Sequence, residues 1–332
     1  YFYDLAESLS DIYTLISPAR FLFNAGLTPA AWNQKMLDDK HLKVVYFNQD
    51  ASLCFPNTDI KGGITITIHN KNAVYGAIKK FIPNELLRSI ASKFTQDSEN
   101  NLSQIVFSGR SDLKFNDVFL DTFPNSKNDR VAFMRIKRPA IQELGPNEEY
   151  ELKSSTFEAL PYIFEDSVDD KNAYYHLLGL VSAKREWKYI KRDYMTPRYP
   201  KQNNIDKFKV MIPESNGSGT LGEPLGKFEI GYPGDSSTTT FIGVGAFDTL
   251  EEAQNCSKYL KSKLVRCLLG ILKITQHNPQ ATWAYVPMQD FSPSSDIDWS
   301  KTIAEIDLQL YEKYHLSPEE RAFIEEKVMP MD

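Results

Sequence analysis

Residues 54–70 read CFPNTDIKGGITITIHN. The second half of this stretch decides the local fold. Ile64, Ile66 and Ile68 alternate with Thr65, Thr67 and His69. That period of two marks a half-buried strand with one apolar face. Gly62 and Gly63 precede it, either to form a hairpin turn or to let backbone approach a bound strand. Upstream, HLKVVYF (41–47) is apolar on both faces and reads as a buried central strand. YTLIS (13–17) is a short apolar strand stopped by Pro18. Between these two strands, residues 28–39 predict a helix. Thr28 is the expected N-cap, Pro29 takes the first helical position, and Trp32, Met36 and Leu37 supply the apolar side. Residues 1–11 predict another helix. Strand, helix, strand and a connected strand form the closing edge of an α/β sheet.

Past residue 70 the character changes. Asn, Ser, Asp and Lys dominate, with the polar run QDSENN at 96–101, so a domain boundary is expected near 72–100. VAFMRI (131–136), KFKVMI (207–212) and FEIGY (228–232) are short strand-like pieces between Pro and Gly turns. They predict an irregular α+β domain. Residues 250–274 predict the longest helix. Thr249 and Glu252 make a T-x-x-E capping box, and Ala253, Leu260, Leu264, Leu268, Ile271 and Leu272 form a buried stripe. WSKTIAEIDLQLYEKY (299–314) and SPEERAFIEEKV (317–328) predict two more helices, the second opened by Ser317 and Pro318.

A chain of 332 residues, 42% of them hydrophobic, can bury a large core without disulfide or metal staples. No run approaches the ~20 apolar residues of a membrane span, so no membrane partner is expected. Cys54, Cys256 and Cys267 form no C-x-x-C pair and read as reduced, buried thiols of a cytoplasmic protein. The five histidines lack ligand spacing, and no metal site is expected from them. The first residue is Tyr1, and YFYDLAESLS looks like a helix entered midway, so the chain is expected to be a fragment.

Charge is distributed unevenly. Between Lys171 and Lys209 ten basic residues face only Glu186, Asp193 and Asp206. Between Asp290 and Asp332 eleven acids face four bases. A basic block inside a chain of net charge −6 points to one face that meets a polyanion.

FIGVGAF (241–247) has the F-x-G-x-G shape of a cofactor loop. Such a loop needs a preceding strand, a following helix and an acid about 20 residues on, near the end of the next strand. The third requirement fails. Val265 lies there, inside the predicted helix among Lys261, Lys263 and Arg266. The stretch therefore reads as a tight turn into a helix, with glycines for close packing. A small-molecule enzyme using this loop is the rival reading.

LISPARFLFNAG (15–26), CFPNTDIKGGITITIHN (54–70) and DFSPSSDIDWSKTIAEID (290–307) together resemble the large adenine-N6 DNA methyltransferases of restriction-modification systems, including type IIG enzymes that fuse methylation to cleavage. The resemblance covers essentially the whole chain. It implies that ISPARF is the fifth strand of the catalytic sheet, HLKVVYF the sixth, and CFPNTDIKGGITITI the loop and seventh strand that close it. A target-recognition domain follows. In that family the aromatic residue before the proline of this loop stacks on the flipped adenine; here it is Phe55, before Pro56. Chemistry on a base inside a duplex requires that base to be turned out and held, and stacking contributes ~1–3 kcal/mol per base. The plainer alternative is a core phenylalanine between two strands. The family's glycine-rich cofactor strand and [DNS]-P-P-[YFW] motif are missing, and no Pro-Pro occurs anywhere. Both belong upstream of the matching region. The fragment alone is thus expected neither to hold S-adenosyl-L-methionine well nor to methylate.

The segment 174–202 mixes basic and aromatic residues. Lys184, Arg185, Lys188, Lys191 and Arg192 are candidates for phosphate contact, with Tyr189 and Tyr194 to pack or stack. A solvated strip with its tyrosines in the core is the alternative. Arg110 and Lys114, beside a glycine turn in FSGRSDLKF (107–115), can reach a base edge or serve as ordinary surface charge. Asn216 and the backbone of NGSGTLGEP (216–224), a flexible polar loop, are candidates for phosphate or base contact. Lys61 follows Phe55 closely and joins the DNA-binding set. Glu151-Leu152-Lys153 with Asp129 upstream is a short, common nuclease-like pattern. The family's nuclease part, where present, would lie before the methyltransferase domain.

The expected fold is α/β plus α+β: closing strands of a Rossmann-like methyltransferase sheet, then an irregular α+β target-recognition domain. Residues 1–72 belong to the catalytic domain, 73–100 to a linker and 101–289 to target recognition, with 290–332 as helices packing on the chain or on the missing half. The expected function is the DNA-recognising, C-terminal part of a site-specific adenine methyltransferase using S-adenosyl-L-methionine bound by its N-terminal part. Its partners are double-stranded DNA and that N-terminal half. The alternative is a stand-alone DNA-binding specificity subunit without catalytic activity.

Overall fold

Three large hydrophobic clusters organise the chain in a computed structural model that describes residues 2–24, 28–58, 60, 62–94, 100–107, 109–199 and 204–331. Among these residues the protein is mixed α/β, with several antiparallel sheets and ten α-helices. No helix among them is long and apolar enough to cross a membrane.

The first cluster lies under α1 (Phe2–Leu9), β1 (Ile12–Pro18), α2 (Ala30–Asp38), β2 (Leu42–Asn48) and β3 (Ile64–Asn70). β3 lies between β1 and β2 and runs antiparallel to both. HLKVVYF is therefore an edge strand, not a central one, and Val45 and Tyr46 on it are exposed. A bulge between Val44 and Tyr46 breaks the two-residue period, which is why the run looked apolar on both sides. The alternation in β3 is present, but its buried face is the polar one. Thr65, Thr67 and His69 are buried beneath the helices, and Tyr3 bonds through its hydroxyl to Thr67. His69 Nε2 meets Asp39 there at 3.1 Å, and the ring stacks on Tyr13. Ile66 and Ile68 are half-buried on the other face, beside exposed Ile16 and Ile12 of β1. The α2 N-cap is Pro29 rather than Thr28, without a side-chain cap bond.

The polar stretch after residue 72 carries α3 (Glu85–Ser92), capped by Asn84. Leu87, Ile90 and Ala91 of α3 enter the largest cluster, which leads on to β4 (Val106–Phe107).

The second cluster belongs to a middle unit comprising β5 (Leu113–Phe115), α4 (Asp117–Thr122), α5 (Ser126–Arg135), α6 (Thr156–Ala159), β6 (Tyr174–Val181), β7 (Lys184–Lys191) and β8 (Met195–Pro197). VAFMRI, expected as a strand, is the end of helix α5. A run of only four apolar residues does not distinguish strand from helix, and the polar SKNDR before it supplies the extra length a helix needs. β6 and β7 form a hairpin whose two turn residues, Ser182 and Ala183, have positive φ, as a two-residue turn between twisted strands requires.

The chain then returns through β9 (Phe208–Pro213), β10 (Glu229–Gly231), β11 (Asp235–Ser237) and β12 (Phe241–Phe247). A sheet of order β10-β9-β12-β4 is covered by α7 (Leu250–Lys261), and α8 (Lys263–Gly270) joins the same core. The expected single helix over 250–274 breaks at Ser262, whose extended backbone and side-chain bond to the Val265 amide start α8. The Thr249/Glu252 capping box is formed. α9 (Ile303–Lys313) and α10 (Pro318–Lys327) pack on this same core through Ile306, Leu310, Phe323 and Ile324. The middle unit is thus inserted between two strands of one sheet, and Leu178, Met211 and Phe241 bridge the two bodies.

Candidate nucleic-acid interface

The loop before β3 is built by local bonds. The Asp50 carboxylate accepts from the Ser52 amide at 2.9 Å, and the Phe55 amide donates to the Ala51 carbonyl at 2.9 Å. Thr58 Oγ1 donates to the Phe55 carbonyl at 2.6 Å, closing the turn that contains Pro56. Gly63 ends the loop with φ +77, and a Cβ there would overlap the Asn48 carbonyl, so only glycine fits. This frame presents the Phe55 ring 42% exposed and outside every hydrophobic cluster. Leu53 beside it is exposed as well. Lys61 lies outside the described residues. Cys54 is half-buried, unlike buried Cys256 and Cys267. A cleft of about 400 Å³ opens between this loop and residues 218–220, walled by Gln49, Thr58, Gly62, Ser218, Thr220 and Ile274. Gln49 Nε2 spans it to the Gly219 carbonyl at 2.6 Å. Phe55 belongs to the loop but not to this wall.

Arg110 and Lys114, four residues apart, line one cleft of about 490 Å³ together with Asn116, Asn147, Thr196 and Arg198. Glu151 is its electrostatic centre. Its carboxylate meets Arg198 Nη2 at 2.7 Å and Arg110 Nη1 at 3.2 Å. Arg110 remains 62% exposed, and Lys114 sits mid-strand in β5. The nuclease-like E-x-K is thus drawn into other bonds: Glu151 to two guanidiniums, Lys153 to Glu148, and Asp129 to the Tyr162 hydroxyl. Arg198 carries no local sequence signal. Its Nε donates to the Ser111 carbonyl at 2.9 Å, a contact across 87 residues.

The basic segment forms β7, and its two-residue period divides its charges. Lys184, Glu186 and Lys188 share one side of the hairpin; Arg185, Trp187, Tyr189 and Lys191 share the other. Acids from outside and inside the segment neutralise part of it. Lys188 meets Asp166 at 2.8 Å and Glu186 at 3.2 Å, which raise its pKa from the ordinary lysine value. Arg185 bonds Glu229 at 3.2 Å and lies 5.1 Å over the Phe241 ring. Arg192 lies 4.2 Å over Tyr175 and donates to the Tyr174 carbonyl. Lys184 and Lys191 are exposed, with no carboxylate partner among the described residues. Tyr194 packs against Phe119 and Phe123 in the second cluster.

Asn216 is consumed internally. Its Nδ2 donates to the Pro224 carbonyl at 2.6 Å, and its Oδ1 accepts from Asn278 Nδ2 at 2.8 Å. The loop amides of Ser218 and Gly219 donate to the Glu223 carboxylate at 2.8 and 3.1 Å. These bonds fold the loop on itself. FIGVGAF is likewise structural. It is strand throughout, not a tight turn, with a bulge between Val244 and Phe247. Asn204 abuts Gly243 and donates to the Gly245 carbonyl at 3.0 Å, while a Cβ on Gly245 would overlap the Phe247 ring. The protein's own side chains fill the Cβ side of both glycines.

The sequence did hold one signal that went unused. Once Ser182 and Ala183 are taken as the turn, the alternation of β6 and β7 places His176 opposite Tyr189. The His176 ring lies 4.4 Å from both Trp187 and Tyr189, stacked between them. No family model matches the chain, and no curated protein matches it either.

Proposed function

We propose that this chain is the DNA-recognising, C-terminal part of a site-specific adenine-N6 DNA methyltransferase, whose parent turns an adenine out of duplex DNA and methylates it from S-adenosyl-L-methionine. The observation that carries this is Phe55. A large apolar ring held 42% exposed on a bonded turn, next to Pro56 and outside every core cluster, costs solvation free energy unless something flat covers it. An extruded base is such a cover. The sheet supports the same reading. β1 and β2 run parallel, joined through α2, and β3 closes the group by inserting antiparallel between them. Among the described residues the outer edge of β1 is unpaired, as expected of a strand that continues a larger sheet, and Ile12 and Ile16 beside it are exposed. A self-sufficient specificity subunit would leave these isoleucines to water, which disfavours the alternative.

In this scheme Phe55 holds the base, and Arg110, Lys114 and the exposed lysines of β7 hold the strand. In this reading the N-terminal part of the parent binds the cofactor. The test is Phe55→Ala in the full-length protein. Methylation should fall at least tenfold while duplex affinity changes less than threefold. Equal losses of both, or none of either, would return Phe55 to a packing role.

A further inference from the structure

We infer that the face of β7 carrying Tyr189 holds a second nucleotide site, a pocket for one unstacked nucleotide distinct from the base at Phe55. This rests on the DNA reading above. The pocket, of about 470 Å³, lies between the hairpin and the loop that joins β10 to β11. Its wall is aromatic: the Trp187–His176–Tyr189 stack, with Tyr174 beside it and Tyr232 opposite, 49% exposed. Asp235 fixes the His176 ring through Nδ1 at 3.1 Å and also accepts from the Tyr232 amide at 2.7 Å, so the two sides are tied together.

Charge selects the ligand. An aromatic cage with free carboxylates would favour a quaternary ammonium. Here the carboxylates are spoken for: Glu229 by Arg185 and Lys227, Asp235 by His176. Arg192 is shared between the Tyr174 carbonyl and Asp206 at 4.0 Å. Lys171, exposed on the rim, has no ion pair among the described residues, and Lys191 extends the positive edge from the same side as Tyr189. Aromatic faces beside an unneutralised cation suit a planar base with an attached phosphate. A base stacked in a duplex cannot enter, so the site takes a nucleotide displaced from the helix.

The test compares two duplexes of one sequence by fluorescence anisotropy, one fully paired and one with a single extrahelical nucleotide. The whole chain should bind the second about tenfold more tightly. Lys171→Ala combined with Tyr232→Ala, both exposed positions, should erase that preference without changing affinity for the paired duplex. Separately, 2′-deoxynucleoside 5′-monophosphates at millimolar concentration should quench tryptophan fluorescence in the wild type and not in the double variant. Equal binding of the two duplexes without quenching overturns the pocket and leaves the DNA reading intact. A preference that survives the double variant also overturns it. Variant-sensitive quenching in a chain that binds no duplex keeps the pocket and removes the DNA reading.

Discussion

Arg198 and Glu151 form the most enclosed ion pair of the polar clefts, Nη2 to Oε2 at 2.7 Å, with side chains only 10% and 11% exposed. Arg110 leans on the same carboxylate from outside, 62% exposed. One arginine therefore has a structural duty and the other is free to trade its partner. A phosphate or a guanine edge arriving in this cleft would compete with Glu151 for Arg110, while Arg198 stays tied to the Ser111 carbonyl.

Glu151→Gln should accordingly destabilise the fold by about 3 kcal/mol, because it strands a largely buried guanidinium. Arg110→Ala should cost less than ~1 kcal/mol, as exposed pairs do, yet weaken duplex binding about tenfold. Denaturant unfolding and anisotropy read the two effects separately. A stability loss at Arg110 as large as at Glu151 would show that both arginines are scaffold.

The hairpin makes a second division testable. Lys184 and Lys191 are exposed and unneutralised, whereas Lys188 is held by Asp166 and Glu186. Each lysine that meets a phosphate contributes about one to the slope of log affinity against log salt. Replacing Lys184 and Lys191 together by Ala should lower that slope by about two, and Lys188→Ala should leave it unchanged. If Lys188 carries the slope instead, its ion pairs open on binding and the charge assignment in β7 reverses.

Much of the fold could be read along the chain because its signals are local. The capping box at Thr249, the helix start at Ser317–Pro318, the strand at 64–70 and the stripe on α7 and α8 all depend on neighbours within a few residues. The errors have non-local causes. β2 looked central because its bulge hides the alternation, and β3 buries its threonines because helices α1 and α2 cover that side. The candidate site divided in the same way. Phe55 and the Arg110–Lys114 pair were visible as local patterns, and the structure leaves them accessible. Asn216 is held by Asn278, 62 residues away, and no window of sequence reports that. Arg198 and His176 matter through partners brought in by tertiary folding, and Tyr232 through the pocket it shares with the hairpin.

Gly245 separates a cofactor loop from a packing device. Its φ is +88 and a side chain would meet the Phe247 ring, so Gly245→Ala should destabilise the protein by about 2 kcal/mol or more. Calorimetry of the wild type with S-adenosyl-L-methionine or nucleotide should give no heat at this loop. Heat in the wild type that Gly245→Ala abolishes, with stability unchanged, would restore the small-molecule reading.

Asp307 couples the C-terminal helices to pH. It lies on α9, 2% exposed, and accepts from the Lys263 and Leu264 amides at 2.9 and 3.0 Å, the otherwise unpaired donors that open α8. Burial pushes its pKa up from the ordinary 3.8 to about 6; the two amide bonds and Arg266 offset part of that, and the charge of Glu325 adds to it. The folded state therefore holds an extra proton between about pH 4 and pH 6. This group's contribution to stability is fully present below its unfolded pKa and is lost as pH rises through about 6. Asp307→Asn cannot titrate, so the stability difference between wild type and variant should shift by about 1 kcal/mol in favour of the wild type on going from pH 7 to pH 5. Other titrating groups cancel in that difference. Parallel pH profiles of unfolding free energy would mean that the carboxylate stays ionised in the fold, held by the helix amides more strongly than burial opposes it.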